Sequence, residues 1–169
     1  YGLIGANGSG KTTLLKIIGN LMLPDNGEIS ADEDISIFYV NNNSRSFFLR
    51  LSGWDNLFFF GALNNKKRNE VKEIIESLFS LFDYEHILSK NVNTLSVGQI
   101  QILGIMRALL TDPKLLLIDE VITNLDASNT KKILEVLELY RKNKKTFTYI
   151  NCSHNHDLLG STCNRIIEI

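Results

Sequence analysis

The chain has 169 residues, 44% of them hydrophobic and 22% charged, with a formal net charge of -1, which is the profile of an ordinary globular domain and excludes disordered and fibrous classes. A charge so near zero, with Lys66-Lys67-Arg68 as the longest basic run, argues against a surface built for nucleic acid, which relies on clustered Lys and Arg to neutralise phosphates. No apolar stretch approaches the roughly 20 residues of a membrane-spanning helix, and the chain does not open with a secretory signal, so a cytoplasmic location is expected.

In chain order, Tyr1-Gly2-Leu3-Ile4 reads as a buried strand with nothing before it to start it, as expected of a domain trimmed at its amino end, and Tyr1 is expected in the core. Lys11 to Leu21 has helical spacing, Pro24-Asp25-Asn26-Gly27 is a turn by composition, Ile35 to Val40 is strand-like, and Asn41-Asn42-Asn43 is a polar loop. Trp54 to Leu63 and Asn69 to Phe82 are amphipathic helices, the second opened by the solvated basic run. A helix from Ser96 to Leu110, a strand from Leu115 to Asp119, a helix from Ala127 to Asn143 and strands Thr146 to Cys152 and Arg165 to Ile169 complete the reading. Apolar strands separated by helices imply parallel pairing by crossover, hence an α/β sheet with helices on both faces. Cys152 and Cys163 lack metal-ligand spacing and are expected as buried thiols.

GANGSGKT, from Gly5 to Thr12, fits the phosphate-loop pattern G-x-x-x-x-G-K-[ST] directly after a strand and before a helix. Gly5, Gly8 and Gly10 let the backbone turn tightly and aim N–H groups inward, and the following helix adds the positive end of its dipole. Lys11 supplies charge to the β and γ phosphates, Thr12 offers a hydroxyl to Mg²⁺, and Asn7, Ser9 and Thr13 complete the expected ATP contacts. Leu115-Leu116-Leu117-Ile118-Asp119-Glu120 ends in two carboxylates at a strand's carboxyl end, where open α/β sheets place their ligands. In phosphate-loop ATPases Asp119 would hold the Mg²⁺ through its water shell, and Glu120 would orient the attacking water.

Leu95-Ser96-Val97-Gly98-Gln99, upstream of these acids, resembles the LSGGQ signature of the ABC ATPase superfamily. The resemblance implies a phosphate-loop, RecA-like core over 1–43 and 112–169 and a mainly helical subdomain over 44–111. It implies Mg²⁺-dependent ATP hydrolysis by a nucleotide-sandwich dimer, in which Ser96, Gly98 and Gln99 of one chain cover the γ phosphate held by the other. Thr123-Asn124-Leu125-Asp126 looks like the family's D-loop, which assigns Asp126 to the nucleotide site. Ser153-His154 resembles the segment with the switch histidine; His156-Asp157 is a rival, but the family's histidine commonly precedes an arginine by the spacing that separates His154 from Arg165. Three departures stand out: Val97 in place of glycine, Ile102 where arginine is frequent, and the asparagine loop where the family keeps its Q-loop glutamine. Asn42 is the candidate to stand in for that glutamine near the metal, with a side chain one methylene shorter.

Asn43 to Leu63 is similar to a stretch of ABC-2-type exporters that flanks the groove for a membrane subunit. The expected partners are thus a second ATPase subunit and an integral-membrane permease, with this chain peripheral at the cytoplasmic face of the membrane and no nucleic acid. Phe47, Phe48 and Trp54 are either anchors in that groove or packing within the helical region. The alternatives are a soluble ABC ATPase acting on nucleic acid or the ribosome, and a nucleotide switch that has lost hydrolysis.

Overall fold

Five short parallel strands in the order β2-β3-β4-β1-β5 form the sheet of a computed structural model that describes residues 1–31, 34–41 and 46–169, with the backbone alone at Asn124 and Ser161. The strands are β1 (Gly2–Ile4), β2 (Ile37–Val40), β3 (Leu115–Asp119), β4 (Thr148–Cys152) and β5 (Ile166–Glu168). All carboxyl ends therefore meet at one rim. The helices are α1 (Lys11–Ile18), α2 (Gly53–Leu63), α3 (Arg68–Phe79), α4 (Tyr84–Leu88), α5 (Val97–Leu110), α6 (Ala127–Asn143) and α7 (His156–Thr162).

Two apolar layers sandwich strands β1 to β4, as their apolar composition demands, while the edge strand β5 is exposed. On one face Leu15 of α1 packs with Leu3, Leu117 and Cys152. On the other, β2 and β3 pack against α5 and α6 in a larger core that continues into α2, α3 and α4. Helix α5 is its centre: Ile102, Leu103, Ile105, Met106, Ala108, Leu109 and Leu110 are all buried. Ile102 is only 2% exposed, so the departure at this position is met by an apolar environment. At Gly61 even one added carbon would collide with Val71, so the glycine sets how closely α2 and α3 approach.

Several boundaries differ from the sequence reading. Helix α1 stops at Ile18, because Gly19 caps it and Asn20 turns into the left-handed region at φ 55. The helix expected over Asn69 to Phe82 breaks after Phe79, and Asp83 opens α4 by accepting a hydrogen bond from the His86 amide at 3.3 Å. Asn155 caps α7 in the same way, accepting from the Leu158 amide at 3.0 Å. Tyr1 is not core but 44% exposed, since it precedes β1 at the amino rim of the sheet, beyond the packed helices. Cys152 is buried as expected, whereas Cys163, past the end of α7, is only half-buried.

Candidate nucleotide-binding site

The loop leaving β1 is shaped by its glycines. Gly8 and Gly10 stand at φ 84 and φ 98, a region that side-chain-bearing residues avoid, with open space where their Cβ atoms would be. Gly5 is bare for a different reason, because an added carbon would overlap the Ile169 carbonyl and the Ser9 hydroxyl. Gly10 is also the cap of α1 and offers no side chain to its first amides. Those donors and the helix dipole are therefore left for an anion. Lys11 is only 5% exposed and arches back over the loop, its Nζ donating to the Gly5 and Ala6 carbonyls at 2.9 and 2.8 Å.

Asn7, Gly8, Gly10, Lys11, Thr12, Thr13 and Glu120 line one open cleft of about 390 Å³. Asp119, at the end of β3, accepts from the Thr12 hydroxyl on Oδ1 at 3.0 Å and from the Tyr39 hydroxyl on Oδ2 at 2.6 Å. Burial, and secondly this hydrogen bond, raise the Tyr39 phenol above its ordinary range, so it remains a donor at neutral pH. Burial, followed by the Asp119 charge, pushes the Cys152 thiol up to about 12. Glu120 takes a left-handed backbone at φ 57, unusual for a side-chain-bearing residue, as β3 turns out of the sheet. Its Oε1 lies 3.8 Å from His154 Nδ1.

His154 and His156 both reach a neighbouring cleft of about 370 Å³ with Gly5, Ala6 and Asn7. The loop carrying them is tied down by the fully buried Ser153, whose Oγ accepts from the Thr123 hydroxyl and from the Asn155 amide, each at 2.9 Å. The donor set fits Mg²⁺ bound together with a nucleotide. A hydroxyl and a carboxylate adjoin the loop, and Mg²⁺ takes one or two protein ligands and fills the rest of its shell with water and phosphate oxygens. The hydroxyl would be Thr12 and the carboxylate Asp119.

Other expected residues are not drawn into either cleft. Ser96 caps α5 and exchanges hydrogen bonds with Gln99: the Gln99 amide donates to Ser96 Oγ at 3.2 Å and the Ser96 amide donates to Gln99 Oε1 at 3.0 Å. Gly98 follows Val97, whose side chain is turned out to solvent at 68% exposure. Asp126 caps α6, its Oδ1 accepting from the Asn129 amide at 2.9 Å. None of these lines the clefts beside the phosphate-type loop. Asn42 lies outside the described residues.

In the segment before α2, Asn56 pins Phe48 in both directions, accepting from its amide at 2.9 Å and donating to its carbonyl at 3.1 Å. Phe47 is buried, with the Arg107 guanidinium 4.3 Å from its ring centre, so packing is the reading that holds for it. Phe48 is 47% exposed. Trp54 is half-buried, stacks on Phe58 at 5.4 Å and donates to Glu85 at 3.2 Å. Sequence reasoning missed Tyr39 and the Thr123–Ser153 tie. Tyr39 was legible only through strand parity, because it shares a sheet face with Leu117 and Asp119 once β2 and β3 are placed side by side.

A parallel sheet with helices on both faces, a glycine loop between its first strand and helix, and a carboxylate pair at the end of a strand one place removed from that first strand define the phosphate-loop class of nucleotide-binding domains. Within that class the chain belongs to the ABC transporter family, whose profile matches residues 1–123. It is 29% identical over 180 residues to the ABC transporter ATP-binding protein NatA of Bacillus subtilis, covering 99% of this chain and 72% of that protein. It is 32% identical over 173 residues to the molybdate/tungstate import ATP-binding protein WtpC of Pyrococcus horikoshii, covering 97% of this chain and 50% of that protein. It is 30% identical over 168 residues to the teichoic acids export ATP-binding protein TagH of Staphylococcus epidermidis, covering 99% of this chain and 62% of that protein. The chain thus spans between half and about three quarters of these relatives. A solved ABC transporter in an inward-facing conformation shares the fold at a TM-score of 0.78 and 23% identity, over 99% of this chain and 66% of that one. ABC transporter ATP-binding proteins are ATPases, and the relatives include both importers and exporters. No helix among the described residues is long and apolar enough to cross a membrane.

Proposed function

We propose that this chain binds and hydrolyses ATP to drive an ABC exporter, working as one half of a nucleotide-sandwich dimer at the cytoplasmic face of the membrane. The observation that carries the reading is the convergence of Lys11, Thr12, Asp119 and Glu120 on one rim, with His154 beside Glu120. In this assignment Gly5, Asn7, Gly8, Ser9, Gly10, Lys11 and Thr13 hold the phosphates and Thr12 and Asp119 hold the metal. Mg²⁺, when bound, supplies positive charge to the phosphate oxygens. Glu120 orients and polarises the water that attacks the γ phosphate, and His154 senses that phosphate and steadies Glu120.

Ser96, Gly98, Gln99 and Asp126 then serve the nucleotide of a partner subunit, which is consistent with their lying away from the clefts of their own chain. The RecA-like core comprises 1–43 and 112–169 and the helical subdomain 44–111. Export rests on the Asn43 to Leu63 stretch, and the exposed Phe48, Leu49, Leu51 and Phe59 give a permease an apolar surface to meet.

The test is steady-state ATP hydrolysis by wild type and Glu120→Gln, with sedimentation of the variant with and without ATP. Loss of turnover together with ATP-dependent dimerisation is expected. A wild type that binds ATP but neither hydrolyses it nor dimerises with its membrane partner present would refute the reading in favour of a nucleotide switch.

A further inference from the structure

We propose that Tyr39 is a positioning residue for the metal carboxylate: its hydroxyl holds one oxygen of Asp119 and leaves the other preset against Thr12. The inference rests on the reading of this rim as a Mg²⁺–ATP site. Tyr39 is on β2 and pairs in register with Leu117. Side chains two residues apart on a strand share a face, so Asp119 lies on the same face as Leu117, one strand over and one step nearer the rim. The tyrosine is long enough to span that diagonal.

The hydrogen bond it makes, 2.6 Å to Oδ2, has the length expected of a hydroxyl donating to a charged carboxylate. The opposite oxygen receives the Thr12 hydroxyl at 3.0 Å. A carboxylate held at both oxygens cannot swing about its own side-chain bonds, and one that is 7% exposed has little water to replace either partner. Mg²⁺ binding then meets a group that is already oriented, which is what a metal with strict octahedral demands requires.

Packing alone does not call for this hydroxyl. The ring of Tyr39 packs against the layer built on Leu15 and Leu117, a task that phenylalanine would perform equally well. The tyrosine is in turn hydrogen-bonded by the side chain of Asn41, the first residue of the asparagine loop. The metal carboxylate is thus connected, through one ring, to the loop that stands where the family keeps its glutamine.

The experiment is Tyr39→Phe in the intact protein, read by equilibrium binding of ATP in excess EDTA and then across a Mg²⁺ titration, alone and in an Asp119→Asn background. Expected are an unchanged ATP affinity in EDTA and a rise of about fivefold in the Mg²⁺ needed for half of the metal-dependent tightening, the size of one ordinary hydrogen bond. With Asp119→Asn present, Tyr39→Phe should add nothing. An unchanged Mg²⁺ requirement overturns the proposal, as does an equal loss of affinity in EDTA, which would make the hydroxyl merely structural. A wild type whose ATP binding ignores Mg²⁺ would instead refute the site reading beneath it.

Discussion

Asn151 lies within β4 with none of its surface exposed, and neither its amide nitrogen nor its amide oxygen has a hydrogen-bond partner among the described residues. Its neighbours Ile150 and Cys152 face the layer beneath α1, so strand alternation turns Asn151 toward the opposite, larger core. Stranding a buried amide costs about 1–3 kcal/mol. Valine has a similar volume and a β-branch suited to a central strand. Asn151→Val should therefore stabilise the fold by about 2 kcal/mol, which for a domain of this size raises the melting midpoint by about 4–8 °C. Urea unfolding followed by circular dichroism is the assay, with the slope unchanged so that the shift in midpoint reports stability alone. An unchanged or lowered midpoint would refute the reasoning, because it would mean that the amide is satisfied in the folded state and that valine breaks those bonds.

Lys11→Ala should weaken ATP binding by about two orders of magnitude, since the charged donor proposed for the phosphates would be removed, and titration with a fluorescent nucleotide measures it. His154→Ala should slow hydrolysis by about a hundredfold while His156→Ala stays within about threefold, because His154 lies beside Glu120, 3.8 Å from its carboxylate; equal losses would undo that assignment. Iodoacetamide at pH 8 should label Cys163 and spare Cys152, as read by mass spectrometry. The Cys152 thiol, raised to about 12 chiefly by burial, stays protonated there, and raising the pH by one unit should barely change this. Labelling of both cysteines at equal rates in native buffer would contradict the burial.

The architecture was legible where composition and spacing act locally. Strand β3 and helix α6 fall within the bounds read from the sequence, since an apolar run and an aspartate cap leave little choice there. The phosphate-type loop was legible because Gly8 and Gly10 need positive φ and Lys11 follows them directly. The short helices α4 and α7 were not, because five and seven residues carry too little periodicity and only their Asp83 and Asn155 caps mark them. Tyr1 was misjudged because apolar sequence context says nothing of whether a helix lies over that end of the sheet. Tyr39 was missed because its partner is 80 residues away, a separation that only the parallel register bridges.

The capping box at the start of α5 bears on how a sandwich dimer can both close and reopen. The Ser96 and Gln99 amides, two donors that the proposed dimer would turn on a partner's phosphate, are already engaged by Gln99 Oε1 and Ser96 Oγ. The Ser96 hydroxyl accepts within the cap and keeps its hydrogen free to donate, so in the proposed dimer it is these amides that would exchange local bonds for bonds to the partner's γ phosphate. A helix cap of this kind is worth about 1 kcal/mol, and bonds to a charged phosphate about 1.5–3 kcal/mol each. In the proposed dimer closure would then be favoured while the γ phosphate is in place. Once it left, the capping box would re-form and the balance would favour separation. Val97 adds an exposed apolar side chain to the same helix end, and in the proposed dimer desolvating it against the partner's loop would favour closure whether or not the phosphate is present. In this protein Val97→Gly should therefore make dimer closure depend more steeply on ATP, with sedimentation showing a larger fall of the dimer in ADP than in ATP, where bonds to the phosphate still favour closure. An unchanged dimer fraction in ADP would mean that Val97 does not favour closure.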